Sequence, residues 1–172
     1  MVFFREIYKR ILKLVLGNVK YARLLGVRVG KGCEIYPNVS WGSEPYLIQL
    51  GDEVRVTDGV KFVTHDGGMW VLRNLSLLEN SDSFGRIVVG NNVHIGWNVI
   101  IMPNVNIGDN CVIGCGAIVT KDIPSNSVAV GVPARVIESI DEYYLKHKDT
   151  CDFTKRMTPP EKKEYLYDKY NL

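Results

Sequence analysis

An aliphatic residue returns at every sixth position through the middle of the chain. From residue 89 to residue 124 the sequence divides into VGNNVH, IGWNVI, IMPNVN, IGDNCV, IGCGAI and VTKDIP, each beginning with Val or Ile. The same frame occurs earlier as VGKGCE and IYPNVS, and then as LGDEVR, VTDGVK and FVTHDG. An amphipathic helix repeats every 3.6 residues and a strand every two, so neither explains a period of six.

The period predicts short strands joined by tight turns, with one aliphatic side chain per strand directed into a shared interior. Three sixes make one triangular coil, and the coil starts at positions 29, 50, 89 and 107 predict about four to five coils. Gly, Asn and Asp follow the aliphatic positions, and these residues tolerate the positive φ angles of tight turns. We therefore expect an all-β core built as a parallel β-helix.

Two insertions interrupt the frame, at residues 42–49 and 68–88. Long loops in a compact repeat protein are usually functional or disordered. The second insertion carries several large apolar residues, including Trp70, Leu75 and Phe84, which favour contact with another surface. The simplest such surface is a neighbouring subunit.

The two ends of the chain have helical patterns. Residues 2–16 read as an amphipathic helix with a basic face, which either covers the open end of the core or contacts anionic lipid at a membrane surface. Capping boxes at Ser139–Glu142 and Thr158–Glu161 predict helices over about 139–148 and 159–170. The predicted domains are an N-terminal helical cap, a repeat domain and a C-terminal helical tail, over residues 1–26, 27–137 and 138–172.

Composition narrows the class of protein. No segment approaches the roughly 20 consecutive apolar residues of a membrane span, and the first residues lack the continuous apolar region of a signal peptide. The four cysteines show no CxxC spacing, so we expect reduced cysteines in a cytoplasmic protein. A net charge of +2 gives no indication of a nucleic-acid partner.

The sixes, followed by GAIVTKDIPSNSVAVGVPARVI at residues 116–137, resemble the hexapeptide-repeat acyltransferases. The stretch THDGGMWVLRN and the tail ESIDEYY are similar, more narrowly, to O-acetyltransferases of bacterial capsule and surface polysaccharide synthesis and to the related xenobiotic acetyltransferases. The resemblance implies a left-handed parallel β-helix, a homotrimer with active sites between subunits, and acetyl-coenzyme A as co-substrate. It implies acetyl transfer to a sugar hydroxyl of a surface polysaccharide precursor.

The resemblance also implies a catalytic histidine where the long loop leaves the prism, and His65 occupies that position. Imidazole titrates near neutrality and is suited to remove the proton of an attacking hydroxyl. Asp66, Trp70 and Asn98 are candidates for contact with the acceptor. Asp66 is equally compatible with orienting His65 or with a turn before two glycines. His94 is the alternative base.

For the donor, the resemblance places coenzyme A along the closing segment. Pantetheine would run past Ala117, and Lys121 and Arg135 would meet phosphates, for which Arg has bidentate geometry. The complete set of expected coenzyme contacts is Trp97, Ala117, Thr120, Lys121, Gly131 and Arg135. No metal is expected.

Three other functions compete with this interpretation. Antibiotic acetylation shares the histidine-containing loop. A γ-type carbonic anhydrase has the same fold but needs three zinc-binding histidines, and here His65 has no histidine near it in the sequence. A non-catalytic scaffold trimer would need neither the histidine nor the closing segment. Turnover of acetyl-coenzyme A against sugars and antibiotics discriminates among them.

Overall fold

The computed structural model describes residues 12–13 and 15–172. Most of the N-terminal helix expected over residues 2–16 lies outside the described residues, so the choice between an end cap and a lipid contact stays a prediction. Helix α1 (Asn18–Leu24) follows, and its Ala22 is fully buried.

The repeats form three sheets of parallel strands that the chain visits in the order A, B, C, and the last strand, β13, joins sheet B antiparallel to β12. Sheet A contains β1 (Arg28–Val29), β3 (Ile48–Leu50), β6 (Ile87–Val89) and β9 (Asn106–Ile107). Sheet B contains β2 (Glu34–Ile35), β4 (Arg55–Val56), β7 (Val93–Ile95), β10 (Cys111–Ile113), β12 (Ser127–Val130) and β13 (Arg135–Ser139). Sheet C contains β5 (Lys61–Phe62), β8 (Ile100–Ile101) and β11 (Ile118–Val119).

The core is a stack of the aliphatic positions that define the six-residue period. Strand pairing places Phe62 opposite Ile101 and Ile101 opposite Val119, and all three side chains are at most 1% exposed. Each such side chain stabilises the fold by about 1.5–3 kcal/mol through removal of apolar surface from water. The predicted parallel β-helix of four to five coils is confirmed.

Asparagine makes many of the turns between sheets. Five asparagines in the repeats have φ angles between 53° and 63°, in the left-handed region: Asn92, Asn98, Asn104, Asn110 and Asn126. Their side chains also connect the coils, since the Asn92 amide donates to Asn110 and the Asn110 amide donates to Asn126, both at 2.9 Å. The turn role inferred for Asn is therefore confirmed.

Both insertions end earlier than the sequence indicated. β3 begins at Ile48 and β6 at Ile87, because in each strand the residue two positions before the repeat start also points inward and is fully buried. The first insertion thus spans residues 42–47, including a 3₁₀ helix at Pro45–Leu47. The second carries helix α2 (Met69–Asn74).

The chain forms two compact units, the first ending at Asp141 and the second comprising Glu142–Leu172. Helices α3 (Ile140–His147) and α4 (Pro159–Tyr170) match the two predicted helices. At the start of α4 the Thr158 N–H donates to the Glu161 carboxylate at 2.7 Å. No helix in the described part of the chain combines the length and apolar composition that a membrane crossing requires.

Candidate active site

Both insertions leave the prism at the same corner, where the chain passes from sheet C to sheet A (the C–A corner). The first follows Trp41, which stacks on Phe62 in the next coil with ring centroids 5.0 Å apart. The second follows Thr64, two residues after the end of β5. The intervening Val63 still donates its N–H to Ile101 O at 2.9 Å. Successive coils therefore bring the two loops side by side.

The second insertion is closed at its base by backbone hydrogen bonds. Asp66 N donates to Ser83 O at 2.8 Å, and Gly85 N donates to Thr64 O at 2.9 Å. His65 and Phe84 face each other in an antiparallel bridge, with ring centroids 6.5 Å apart. His65 is thus fixed at the neck of the loop.

The side chain of His65 is held by the first insertion. Its Nδ1 lies 2.9 Å from Ser43 Oγ and 3.4 Å from Glu44 Oε2. Ser43 Oγ donates to the same Glu44 oxygen at 3.1 Å, which leaves Oγ to accept a hydrogen bond from Nδ1–H. With the proton on Nδ1, the Nε2 lone pair is available to take a proton, and the imidazole is 45% exposed to solvent.

Glu44 is itself held in the ionised state. The hydroxyl of Thr64, a residue that is fully buried, donates to Glu44 Oε2 at 2.7 Å. This hydrogen bond, with those from Ser43 and the nearby His65 ring, lowers the pKa of the Glu44 carboxyl below its usual value. A carboxylate therefore faces Nδ1, where it stabilises positive charge on the ring.

The residues expected to bind the acceptor fall in different places. Asp66 Oδ1 accepts the Gly68 N–H at 2.8 Å, so this carboxylate makes a turn that begins α2. Trp70 is 65% exposed on α2, within the second insertion. Asn98 lies at a turn between sheets B and C, with its side chain over Gly59 in the preceding coil.

The residues expected to bind coenzyme A lie along the two edges of sheet C. Thr120 and Lys121 are exposed at the C–A corner, two coils and roughly 10 Å from the level of His65. At the opposite edge Trp97 is 54% exposed, and the carbonyl of Gly131 accepts the Ile118 N–H beneath β11. Arg135 follows, exposed at the start of β13.

Ala117 is the one expected coenzyme contact that lies in the core. Its side chain is fully buried, and its carbonyl accepts the Ile100 N–H at 2.9 Å. The exposed positions at this edge are its neighbours Cys115 and Gly116. A ligand at this edge would meet these two residues before Ala117.

The outer face of sheet C, between these edges, is largely apolar. Ile100 and Ile118 point outward and are half-buried, and Met102 beside them is half-buried against the core. The face thus offers a strip that a thin, flexible ligand or a second subunit can cover.

His94 belongs to a different surface. It lies on the outer face of sheet B opposite Arg55, which pairs with Glu34 at 2.9 Å. Burial and then the Arg55 charge lower the pKa of His94. In the described residues no group of three or more His, Cys, Asp and Glu side chains is placed to hold a metal ion.

Ser43 and Glu44 are the site residues that sequence reasoning missed. They lie in the first insertion, 22 and 21 positions before His65, and no periodic signal marks them. The available signal was the six-residue frame, because both insertions follow the third repeat of a coil: the first follows the bridge from Ser40 to Lys61, and the second follows β5.

The chain is similar to known proteins over most of its length. A family described as bacterial transferase hexapeptide (six repeats) matches residues 86–121. Protein CapG of Staphylococcus aureus is 45% identical over 168 residues, which are 96% of this chain and 96% of that protein. Galactoside O-acetyltransferase of Escherichia coli K12 is 43% identical over 108 residues, 60% of this chain and 51% of that protein. A solved structure of galactoside acetyltransferase in complex with coenzyme A is 30% identical over 85% of this chain and 87% of that chain, with a TM-score of 0.59.

Proposed function

The chain belongs to the hexapeptide-repeat transferases, a family of left-handed parallel β-helices, and from this premise we propose that it is an acetyl-coenzyme-A-dependent O-acetyltransferase acting on a sugar hydroxyl. The observation that carries the proposal is the contact of His65 with Ser43 and Glu44 at the loop-bearing corner. The galactoside O-acetyltransferase relative supports a sugar acceptor. A precursor of surface polysaccharide is the acceptor that the sequence resemblance favours.

In this mechanism His65 is the general base. Its Nε2 takes the proton from the acceptor hydroxyl as the hydroxyl oxygen bonds to the acetyl carbon. The proton then passes to the sulfur of coenzyme A as the bond between that sulfur and the acetyl group breaks. Ser43 fixes the tautomer, and the Glu44 carboxylate stabilises the imidazolium that exists between the two proton transfers.

The donor residues fit coenzyme A. The co-substrate supplies the acetyl group as a thioester, a good leaving group for transfer to oxygen. Lys121 and Arg135 would hold phosphates, and Trp97 would line the pantetheine arm. The apolar face of sheet C lies between them, with Thr120 at one edge and Gly131 at the other.

A homotrimer completes the proposal. Apolar side chains of the second insertion, among them Trp70 and Phe84, are exposed in the single chain, and the outward-facing apolar side chains of sheet C are half-buried. Contiguous apolar surface of this kind marks an interface, so the donor site would lie between adjacent prisms. The four cysteines are free, which suits the reducing compartment expected from the sequence.

Acetyl transfer is the direct test. Purified protein is supplied with acetyl-coenzyme A and a panel of sugars and antibiotics, thiol release is followed, and the product is identified as an O-acetyl ester by mass spectrometry. We expect transfer to a sugar, and a loss of roughly 10²–10⁴-fold in kcat for His65→Ala. The His94→Ala protein is the matched control and should retain activity.

Two results would contradict the proposal. One is the absence of thiol release with every acceptor. The other is a His65→Ala enzyme that keeps more than about a tenth of the wild-type kcat, which is too much for loss of a general base.

A further inference from the structure

A cavity with both polar and apolar walls opens on the outer face of sheet A beside the C–A corner. Its volume is about 200 Å³, and its walls come from β1, the first insertion, β3 and the residue before β6: Arg28, Tyr46, Leu47, Ile48, Gln49 and Arg86. None of these residues is acidic. The cavity therefore has a positive lining although the whole chain is nearly neutral.

The two arginines of the cavity are brought together by one glutamine. Strand pairing places Arg28 opposite Gln49, and Arg86 Nη2 donates to Gln49 Oε1 at 2.6 Å. Both arginines are exposed, and neither has a salt-bridge partner among the described residues. In contrast, Arg55 and Arg73 each pair with a carboxylate.

Two guanidinium groups that line one cavity, neither paired with a carboxylate among the described residues, favour an anion. Their mutual repulsion is offset when an oxyanion lies between them, and the planar donor fork of Arg matches phosphate or carboxylate oxygens in bidentate geometry. Gln49 has its oxygen engaged by Arg86, so its amide hydrogens remain to donate as well. The exposed ring of Tyr46 supplies an apolar wall beside these donors.

Two walls of the cavity are joined to the histidine site by short stretches of chain. Tyr46 lies two residues after Glu44, whose Oε2 is 3.4 Å from His65 Nδ1. Arg86 lies two residues after Phe84, which forms the bridge with His65. Two residues span at most about 7 Å, and the 3₁₀ turn at Pro45–Leu47 shortens the path from Glu44 to Tyr46 further, so a molecule of sugar size has the length to reach from the cavity wall toward the imidazole.

We propose that the acceptor is an anionic sugar, whose phosphate or carboxylate group binds Arg28 and Arg86 while a hydroxyl of the same molecule faces His65. This inference rests on the function proposed above and narrows it. Glu44 does not oppose it, because its carboxylate is turned toward Thr64 and His65. The acceptor thus approaches from sheet A and the donor from sheet C.

Binding measured without turnover tests the site. The probes are galactose, galactose 1-phosphate and galacturonic acid, titrated calorimetrically into wild type and into the Arg28→Gln/Arg86→Gln protein. We expect the wild type to prefer an anionic sugar, and the double variant to raise its dissociation constant roughly 10- to 100-fold, the effect of losing a hydrogen bond to a charged group. The Lys155→Gln/Arg156→Gln protein, with the same charge change in the second compact unit, should bind like wild type.

Salt dependence of the wild type gives a measurement that needs no variant. Raising the ionic strength from about 0.01 M to about 1 M shortens the screening length from roughly 30 Å to roughly 3 Å. Affinity for the anionic sugar should fall over this range, and affinity for galactose should change less. The anionic probe that binds more tightly identifies the group as phosphate or carboxylate.

Each outcome separates this inference from the proposed function. Equal affinity for galactose and both anionic sugars, no binding of either anionic sugar, or wild-type affinity in the double arginine variant overturns the anion site, even if acetyl transfer occurs. Arginine-dependent binding of an anionic sugar without any acetyl transfer leaves the site standing and refutes the proposed function.

Discussion

At the scale of single residues, two carboxylates could partner His65, and the one already engaged in a local turn is excluded. Asp66 is adjacent to His65 in sequence, but its oxygen satisfies the Gly68 N–H at the start of α2. Glu44 is 21 positions away, yet stacking of coils brings it to Nδ1. The hydrogen bond from buried Thr64 fixes its orientation.

The role of Glu44 can be tested by Glu44→Gln, which keeps the size and one oxygen but removes the charge. We expect kcat to fall roughly 10- to 100-fold, because a hydrogen bond or contact with a charged group is lost in the state where the imidazolium exists. The KM for acetyl-coenzyme A should stay within about twofold, since the proposed donor residues do not include Glu44.

Steady-state kinetics provide the measurement, with Asp66→Asn as the matched control. A Glu44→Gln enzyme with unchanged kcat would show that the carboxylate only anchors the loop. Equal losses in both variants would mean that the whole corner had been disturbed.

A separate prediction concerns the residues proposed to bind coenzyme A. In the Lys121→Ala/Arg135→Ala protein the KM for acetyl-coenzyme A should rise about tenfold or more while kcat changes little, because phosphate contacts stabilise ground and transition states equally. Coenzyme A binding by calorimetry should weaken in parallel. Retention of wild-type affinity would mean that the coenzyme does not follow the closing segment.

At the scale of elements, the second insertion depends on a glycine at its return to the prism. Gly85 is buried, and a Cβ there would lie 2.5 Å from Asn104 N and 2.5 Å from Pro103 Cβ in the adjacent coil. These are a backbone atom and a ring atom that cannot move aside easily. The close approach lets Gly85 N reach Thr64 O and close the loop.

Gly85→Ala should therefore lower the free energy of unfolding by about 1–3 kcal/mol, the usual effect of overpacking. It should also lower kcat, because the strand pairing that holds His65 is displaced. Gly67→Ala in the same loop is the control, since a Cβ there meets no atom within 4 Å. Thermal unfolding and the acetyl-transfer assay on both variants measure these effects. Equal stability of the two variants would show that close packing at Gly85 does not limit stability.

Some structural elements can be predicted from the sequence, and others cannot. The six-residue period fixes which residues point inward, because Ile95 and Ile113 must both enter the same narrow core. The helix at Pro159–Tyr170 is bounded by a capping box and needs no tertiary contact to be recognised. The course of the first insertion has neither kind of signal. Its contact with His65 depends on coil register and loop geometry, so Ser43 and Glu44 were not foreseen.

At the scale of the whole molecule, the outer face of sheet C predicts assembly. Ile100→Glu places a charge on this half-buried, outward-facing strip, where it is tolerated in a single chain but costly at a subunit contact. We expect the wild type to sediment as a trimer and the variant to dissociate.

The matched control is Val88→Glu, which makes the same change on the outer face of sheet A. Analytical ultracentrifugation at micromolar concentration measures the outcome. A stable wild-type monomer would exclude the shared donor site, and a trimeric Ile100→Glu protein would place the interface on another face.

The shared exit corner of the two insertions gives the fold a modular character. The strands on either side keep their pairing whatever the loops contain, as β1–β3 and β3–β6 remain in register across both insertions. Closing a longer loop costs little, about 0.6 kcal/mol for each doubling of length. Exchanging residues 42–47 and 66–84 for the loops of a related enzyme should thus change preference for the part of the acceptor that these loops contact, while Arg28 and Arg86, which lie outside both loops, keep the preference for an anion and the donor face is unaltered.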